Sequence, residues 1–189
     1  MRRELIERTA LQLFAERSIA EVSVRDLADA AGIGESGLYR HMVSKEELAR
    51  RVFTRAYLDL TGRLETARAG RRGLRDELAA LIEATLAAFD EDPVLMRFLL
   101  LRQHDALDTI DPQTRTPVVV VGETIDRAVA AGELAAGERE LATATVLGLV
   151  LQPLTFVVYG RIDPPAAALA PTLTERVVAA LTSPAETGR

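Results

Sequence analysis

Apolar residues recur every three or four positions along most of the chain, and this spacing restricts the fold more than any other feature. The clearest such stripe runs from Leu74 to Phe89, in the segment LRDELAALIEATLAAF. The spacing brings these side chains onto one side of an α-helix, where they can be buried together. Similar stripes elsewhere predict an all-α protein with eight or nine helices.

The segment PVVVVGETI, residues 117–125, is the one stretch that also fits a strand, because four valines follow one another. Val118, Val121 and Ile125 nevertheless continue at helical spacing past Gly122. We therefore expect a helix there, and the preceding Thr-Pro pair is typical of a helix start.

Composition and charge restrict the class of protein. The 189 residues suit one domain or two small ones, and the absence of cysteine excludes disulfides and thiolate metal sites. The first residues, MRRELIERTALQLF, carry acidic side chains every few positions and do not resemble a secretory signal, so we expect a cytoplasmic protein. Residues 1–60 contain ten basic and ten acidic side chains, so the excess of acidic charge lies in 61–189. A basic surface on the first part must therefore arise from the arrangement of side chains.

Two short helices joined by a glycine corner are predicted in the segment SVRDLADAAGIGESGLYRHM. Ser23 and Asp26 have the spacing of a helix cap and its reciprocal acid. Gly32 follows the first helix, where a sharp reversal of the chain needs a positive φ. A second helix is predicted over 35–42, and the pair forms a helix-turn-helix.

The second of these helices carries residues that suit a DNA duplex. Leu38 and Met42, one turn apart, would face the core. Tyr39, Arg40 and His41 would then face outward or sideways, where Arg pairs with guanine edges or phosphates and Tyr and His donate to phosphate oxygens.

Lys45 lies in the first turn of the following helix, where the backbone amides also favour a phosphate. The helix over 35–42, which would read the bases, and the first turn of the next helix, which would bind a phosphate, would thus contact one groove of DNA. The alternative interpretation is purely structural, since helix-loop-helix units with a glycine corner occur in many all-α proteins. In that case Tyr39 would be a half-buried packing residue and Lys45 a solvated charge.

The segment SVRDLADAAGIGESGLYRHMVSKEEL, residues 23–48, resembles the N-terminal signature of tetracycline-repressor (TetR) family regulators, and the likeness includes the preceding ALQLFAERS. The resemblance implies a homodimeric transcription factor, usually a repressor, that a small molecule releases from its DNA operator. It also implies which residues lie near the duplex, contact its bases or backbone or, at Lys45, hold a phosphate. These are Ser23, Arg25, Gly34, Glu35, Ser36, Gly37, Tyr39, Arg40, His41 and Lys45.

Some positions depart from that signature or stand out within it. Gly37 occupies a position where Thr or Ser is usual, which removes a side-chain contact and costs a helix about 0.5–1 kcal/mol relative to alanine. Met42 replaces an aromatic residue, so the apolar packing at this position is less rigid. Val43 replaces a common proline, so the backbone turn before the next helix is less constrained. Glu35 can accept a hydrogen bond from cytosine but repels a nearby phosphate.

The segment LATATVLGLVLQPLTFVVYG, residues 141–160, contains no charged residue and is long enough to span a bilayer. Polar residues such as Gln152 interrupt it, charged residues adjoin both ends, and it lacks a flanking Lys/Arg cluster and an aromatic belt. We therefore favour a core helix over a membrane span. Together with the last helix, it would join two copies of the chain across a two-fold axis.

These patterns predict a DNA-binding domain over 1–46 and a ligand-binding and dimerisation domain over 47–189. Aromatic or polar side chains in apolar surroundings of the second domain are candidates for a small-molecule pocket, although each also fits an ordinary core or surface position. They are Phe89, Phe98, Gln103, His104, Gln152, Thr155, Phe156 and Tyr159.

The motifs of enzymes, cofactor sites and metal sites do not stand out in the sequence. The two histidines, His41 and His104, lie far apart, and no acidic residue near them has a spacing suited to a metal. We therefore expect neither an enzyme nor a bound cofactor or metal. One alternative stays open: a family member that has lost its ligand response and acts as a protein- or nucleoid-bound factor. A second domain that is filled by side chains and has no cavity would favour this alternative.

Overall fold

The computed structural model describes residues 2–106, 110–111, 113–137 and 139–183, without the side chains of 104–106. Every regular element within these ranges is helical, which confirms the predicted all-α class. The elements in the described ranges are α1 (Arg2–Glu16), α2 (Val24–Ala30), α3 (Glu35–Leu38), α4 (Lys45–Arg68), α5 (Leu74–Glu91), α6 (Pro93–Ala106), α7 (Pro117–Ala130), α8 (Arg139–Val158), a 3-10 helix (Ala166–Leu169) and α9 (Ala170–Thr182).

Two helices begin at a side-chain cap that is followed by a proline. The carboxylate of Asp92 accepts a hydrogen bond from the amide of Leu95 at 3.0 Å, at the start of α6. The hydroxyl of Thr116 accepts from the amide of Val119 at 3.4 Å, at the start of α7. The valine-rich segment is therefore helical, as predicted, because a capped start and a buried apolar face favour a helix over a strand.

Helix α3 is shorter than predicted. Its α-helical part ends at Leu38, whereas the sequence predicts a helix to Met42. The Tyr39 amide still bonds to the carbonyl of Glu35, four residues back, but the next amides bond three residues back: Arg40 donates to Gly37 at 3.4 Å and His41 to Leu38 at 2.8 Å. The chain therefore continues as tight turns, which still leave Met42 buried, as predicted.

Contacts divide the chain into two units, and the first comprises residues 1–58 with 92–114. Its core contains three phenylalanines that are almost fully buried. The rings of Phe14 and Phe98 have centroids 6.3 Å apart, and those of Phe53 and Phe98 lie 5.9 Å apart in an edge-to-face arrangement. Helix α6 thus belongs to the same core as α1 and the first half of α4, and the predicted functional boundary after residue 46 stays a prediction.

Arginines of α6 also bind the end of α1. Arg97 Nε donates to the carbonyl of Ala15, and Arg102 Nε to that of Phe14, each at 3.0 Å. The last carbonyls of a helix have no partner within it and carry its negative dipole end, so a guanidinium there is favourable. Within the first unit, this interaction holds α1 against α6.

The second unit comprises residues 59–91 with 115–189. In it α5 packs against α7 and α9, and α8 packs against α7 and α9. An ion pair with a buried carboxylate joins α5 to α7: Arg127 Nε lies 3.2 Å from both carboxylate oxygens of Glu77, which is only 6% exposed, whereas the Arg127 side chain is half-exposed. Removing the arginine would leave that carboxylate without its cationic partner.

Four charged side chains link the end of α4 to α7 in the second unit. Glu123 accepts from Arg115 Nη2 at 2.7 Å and from Arg68 Nη2 at 2.9 Å, and Arg115 also pairs with Glu65. Hydrogen bonds from Arg115, together with those from Arg68, lower the pKa of Glu123 to about 2. Arg68 in addition donates to the carbonyl of Val120 at 2.7 Å, so α4 is fastened to α7.

Among the described residues, α8 is the one helix whose length and apolar composition would also suit a membrane span, and a core helix of a soluble protein meets the same criteria. One side of it faces the interior of the unit, through Val146, Val150 and Leu154. Its exposed side contains Leu141, which is 60% exposed, and Phe156, which is 44% exposed. The isolated chain therefore leaves apolar surface of α8 uncovered.

Candidate nucleic-acid interface

Helix α2 starts with a complete capping box. Ser23 Oγ accepts from the amide of Asp26 at 3.0 Å, and the carboxylate of Asp26 accepts from the amide of Ser23 at 2.9 Å. The hydrogen bond from the Ser23 amide is the main reason that the pKa of Asp26 lies below its usual value. The box fixes the first turn of α2, where the side chain of Arg25 is exposed and lies 3.7 Å from Asp29.

The turn between α2 and α3 has the conformation that the sequence predicts. Gly32 has φ +64°, a left-handed conformation that other residues rarely adopt. Gly34 then precedes α3 in an extended conformation, without a side-chain cap. Leu27 and Leu38, from the two helices, are buried, so α2 and α3 form one packed helix-turn-helix.

The outer surface of α3 carries the residues predicted to contact DNA. Glu35, Ser36 and Arg40 are exposed, and Tyr39 is 55% exposed, whereas His41 is half-buried. An aromatic hydroxyl beside a guanidinium on the outside of a short helix can reach phosphates and base edges together. The structure therefore leaves the side chains of Glu35, Ser36, Tyr39 and Arg40 exposed on α3 and the turn that follows it, and their contact with DNA stays a prediction.

The Arg40 side chain lies close to Gly37, but this approach does not require a glycine. A Cβ atom built on Gly37 would lie 3.7 Å from Arg40 Nη2, which is an ordinary van der Waals contact. The backbone of Gly37 also lies outside the left-handed region. Sterically, the position would therefore accept the serine or threonine that is usual in the resembling family.

Lys45 differs from a freely solvated lysine. Its Nζ donates to the carbonyls of Ala20 at 3.0 Å and Val22 at 2.8 Å, and its side chain is only 19% exposed. Two of its three N–H donors are thus engaged within the chain. The predicted phosphate contact stays a prediction, and it would have to use the remaining donor or displace one of these bonds.

The start of α4 carries half of a capping box. The amide of Glu47 donates to Ser44 Oγ at 3.0 Å. The carboxylate of Glu47 lies 3.3 Å from Arg51 Nη1, so this acid serves an ion pair on its own helix.

The residues predicted to line a small-molecule pocket divide between the two units. Phe98 and Gln103 belong to the first unit, and the side chain of His104 lies outside the described residues. Phe98 lies at the edge of a cleft of about 350 Å³ that Phe53 and Arg102 also line. The predicted ligand-binding role of these residues stays a prediction.

The other predicted pocket residues lie in the second unit. Phe89 is buried, and Thr155 donates its hydroxyl to the carbonyl of Leu151 at 3.0 Å within α8. Gln152, Phe156 and Tyr159 are exposed, on the side of α8 that is not packed within the chain. Of the described residues, no group of three or more His, Asp or Glu side chains suits a metal ion.

Some contacts within the first unit could not be inferred from sequence. Arg97 and Arg102 bind α1 across more than eighty residues, and Arg8 of α1 pairs with Asp92, the cap of α6. An arginine on a helix gives no local signal of a distant carbonyl partner. The two bonds of Lys45 were missed for the same reason.

Comparison with known proteins agrees with this geometry. The family described as "Bacterial regulatory proteins, tetR family" matches residues 6–52, a range that contains the whole helix-turn-helix. A relative, the HTH-type transcriptional repressor KstR2 of Rhodococcus jostii (strain RHA1), is 38% identical over 89 residues, which are 47% of this chain. These residues cover only 43% of that relative's length.

Solved structures show the same fold over almost the whole chain. FadR from Bacillus subtilis, determined in complex with stearoyl-CoA, superposes with a TM-score of 0.80 at 17% identity and covers 93% of this chain and 97% of its own. The ketosteroid transcriptional regulator KstR2 of Mycobacterium tuberculosis gives a TM-score of 0.75 at 20% identity and covers 97% and 96%. At such identities the likeness establishes the fold alone. Residues 6–52 therefore match the family described as "Bacterial regulatory proteins, tetR family" in sequence, and the chain as a whole shares the fold of the solved regulators.

Proposed function

We propose that the chain is a cytoplasmic, homodimeric transcription regulator, a repressor that binds a near-palindromic DNA operator and is released from it by a small molecule. The observation that carries this proposal is the exposed Tyr39 and Arg40 pair on a helix-turn-helix whose apolar residues are buried. Both side chains keep much of their surface open to solvent, and their chemistry suits phosphates and base edges.

The first step of the proposed function is the reading of DNA by two copies of α3. Related by a two-fold axis, they would enter successive major grooves about 34–36 Å apart. Arg40 is proposed to contact a base edge or a phosphate, and Tyr39 the backbone. The exposed Glu35 and Ser36 would face the groove, with Ser23 and Arg25 at its border.

The second step is the association of two copies through α8 and α9. The exposed residues of α8 recur along one side of the helix and include two large apolar side chains and two small residues. They are Leu141, Ala144, Gly148, Gln152 and Phe156. Small residues allow helices to approach closely, and apolar residues favour burial between copies. An exposed Gln in the middle of the stripe favours a protein partner over lipid.

The third step is release by an effector. The names of two similar proteins mention a fatty acid derivative and a steroid, stearoyl-CoA with FadR and a ketosteroid with KstR2. We propose an apolar effector of this kind for this chain. It needs to favour the released state by only about 1–3 kcal/mol.

The alternative is a family member without ligand response that acts as a protein- or nucleoid-bound factor. It would bind DNA with the same helix-turn-helix, and no compound would change its affinity for DNA. We propose no enzymatic activity for the chain, since the family that matches residues 6–52 consists of regulatory proteins.

The test is selection of bound sequences from a random DNA pool, followed by affinity measurements on the selected duplex with and without stearoyl-CoA or a ketosteroid. Arg40→Ala is expected to weaken binding and change sequence preference, with a cost of about 1–3 kcal/mol if Arg40 reads a base. Arg71→Ala, at an exposed arginine between α4 and α5, is the charge-matched control and should bind like the wild type. Absence of an enriched sequence would overturn the proposed function, and enrichment without any effect of either compound would favour the ligand-independent alternative.

A further inference from the structure

The ammonium of Lys45 joins the start of α4 to the loop between α1 and α2. Its two acceptors, the carbonyls of Ala20 and Val22, lie 25 and 23 residues earlier in the chain. The nearest acid is Glu46, whose carboxylate lies 3.9 Å away, beyond hydrogen-bonding distance. The lysine is thus bonded to backbone rather than to a carboxylate.

The loop that Lys45 binds leads directly into the helix-turn-helix. Val22 is fully buried, and the next residue, Ser23, is the cap of α2. On its other side, Ser18 donates its amide and hydroxyl to the carboxylate of Glu21, at 2.9 and 2.7 Å. The path of this loop therefore sets where α2 begins.

The position of α2 in turn sets the position of the proposed reading surface. Helix α2 packs against α3, and both leucines at their contact are buried. A shift of the loop would therefore move α3 with α2, and a displacement of about 1 Å is enough to disturb contacts that depend on geometry. Lys45 fastens this whole element to the first turn of α4.

We propose that Lys45 is a positioning residue for DNA reading: its ammonium acts through the backbone of residues 20–22 to fix the helix-turn-helix on α4, and any phosphate contact is secondary. This inference rests on the proposed function, because it assigns the residue a role in DNA binding. It differs from a simple phosphate contact in two measurable ways, one of which needs no DNA.

The first measurement is hydrogen exchange of the amides of residues 21–23 in the DNA-free protein. These amides are bonded to Ser18 and Asp26, so their protection reports opening of the loop. Lys45→Met keeps most of the side-chain stem and removes the donors, and about tenfold faster exchange is expected, since each lost bond involves a charged group. Lys45→Gln, which keeps an amide donor, should give a smaller increase. Unchanged exchange of α5 amides shows that the effect is local.

Arg50→Met is the matched control for charge on the same helix. Arg50 is exposed, and its guanidinium lies 3.9 Å from Glu47 of its own helix. Arg50 lines the same cleft as Ser18 and Ala20, but its loss removes one positive charge from the second turn of α4 and leaves the bonds from Lys45 to the carbonyls of Ala20 and Val22 in place. Exchange of residues 21–23 should then stay at the wild-type rate.

The second measurement compares the affinities of Lys45→Met for the selected operator and for a random duplex over a range of salt concentrations. A positioning role predicts a greater loss on the operator than on the random duplex, with an almost unchanged salt slope. A phosphate contact alone predicts equal losses on both and a slope lower by about 0.9. Equal losses, or exchange that Lys45→Met leaves unchanged, would overturn the inference. If the wild type binds no DNA, the proposed function fails as a whole, and the exchange data show separately whether the loop is tethered.

Discussion

Replacing Phe156 by alanine should weaken the association of two copies of the chain. Phe156 is 44% exposed in the single chain, on the outer side of α8, where we propose that a second copy packs. Burying a whole phenylalanine side chain contributes about 2 kcal/mol, so the part still exposed can contribute about 1 kcal/mol. Because both copies contribute a Phe156 to a two-fold interface, the variant should lose about 2 kcal/mol of dimerisation free energy. This loss is equivalent to about a thirtyfold higher dimer Kd.

Sedimentation equilibrium over a range of protein concentrations measures this Kd. Leu5→Ala is the matched control, because Leu5 is an apolar residue of α1 that is 54% exposed and lies outside the proposed interface. The variant Leu141→Ala should resemble Phe156→Ala, since Leu141 lies on the same side of α8. A monomeric wild type, or a Kd that Phe156→Ala changes no more than Leu5→Ala does, would refute the interface. Loss of effector response with an intact dimer would instead support the predicted role of Phe156 in a ligand pocket.

Three further predictions concern stability and can be measured by urea denaturation. Arg127→Met should cost about 3 kcal/mol because it leaves the buried Glu77 carboxylate unpaired, whereas Glu77→Gln should cost less, because the half-exposed Arg127 can turn to water; equal losses would contradict this asymmetry. Gly37→Ala should stabilise the protein by up to about 0.5–1 kcal/mol, because alanine favours a helix over glycine and the backbone φ of residue 37 is not left-handed. The new Cβ would meet Arg40 Nη2 at 3.7 Å, an ordinary contact. A destabilised variant would show that the position is constrained. The pKa of Glu123 is lowered to about 2, so its contribution to stability is complete well above pH 4.5 and is lost as the pH falls toward 2. Glu123→Gln should therefore flatten the pH dependence of the unfolding free energy in that window. A curve parallel to that of the wild type would show that Glu123 contributes nothing there.

Much of the local structure could be predicted from sequence because its causes are local. The cap at Ser23, the left-handed Gly32 and the start of α7 after Thr116 each depend on residues within one turn, and all three are confirmed. The inward position of Leu38 and Met42 follows from helical spacing and is also confirmed. The end of α3 was placed too late, since a helix of this length is decided by its neighbours more than by its own residues.

The candidate pocket shows where sequence reasoning reaches its limit. Phe89 and Phe98 are both apolar and helical, yet they lie in different units of the chain. Phe98 completes the aromatic core with Phe14 and Phe53, a contact that spans more than eighty residues. Helical periodicity states which side of a helix is buried but not which helix covers it.

By itself, the order of residues determined the helical class, the helix-turn-helix and the likeness of the N-terminal residues to the tetR family, because caps, glycine turns and apolar periodicity act over only a few positions. Only the tertiary structure decided that Lys45 binds the carbonyls of Ala20 and Val22, that α6 joins the core of the first unit, and that α8 keeps an uncovered apolar side. Each of these features depends on residues far away in the chain. The residues next to a charged or apolar side chain in the sequence do not identify its distant contact partner.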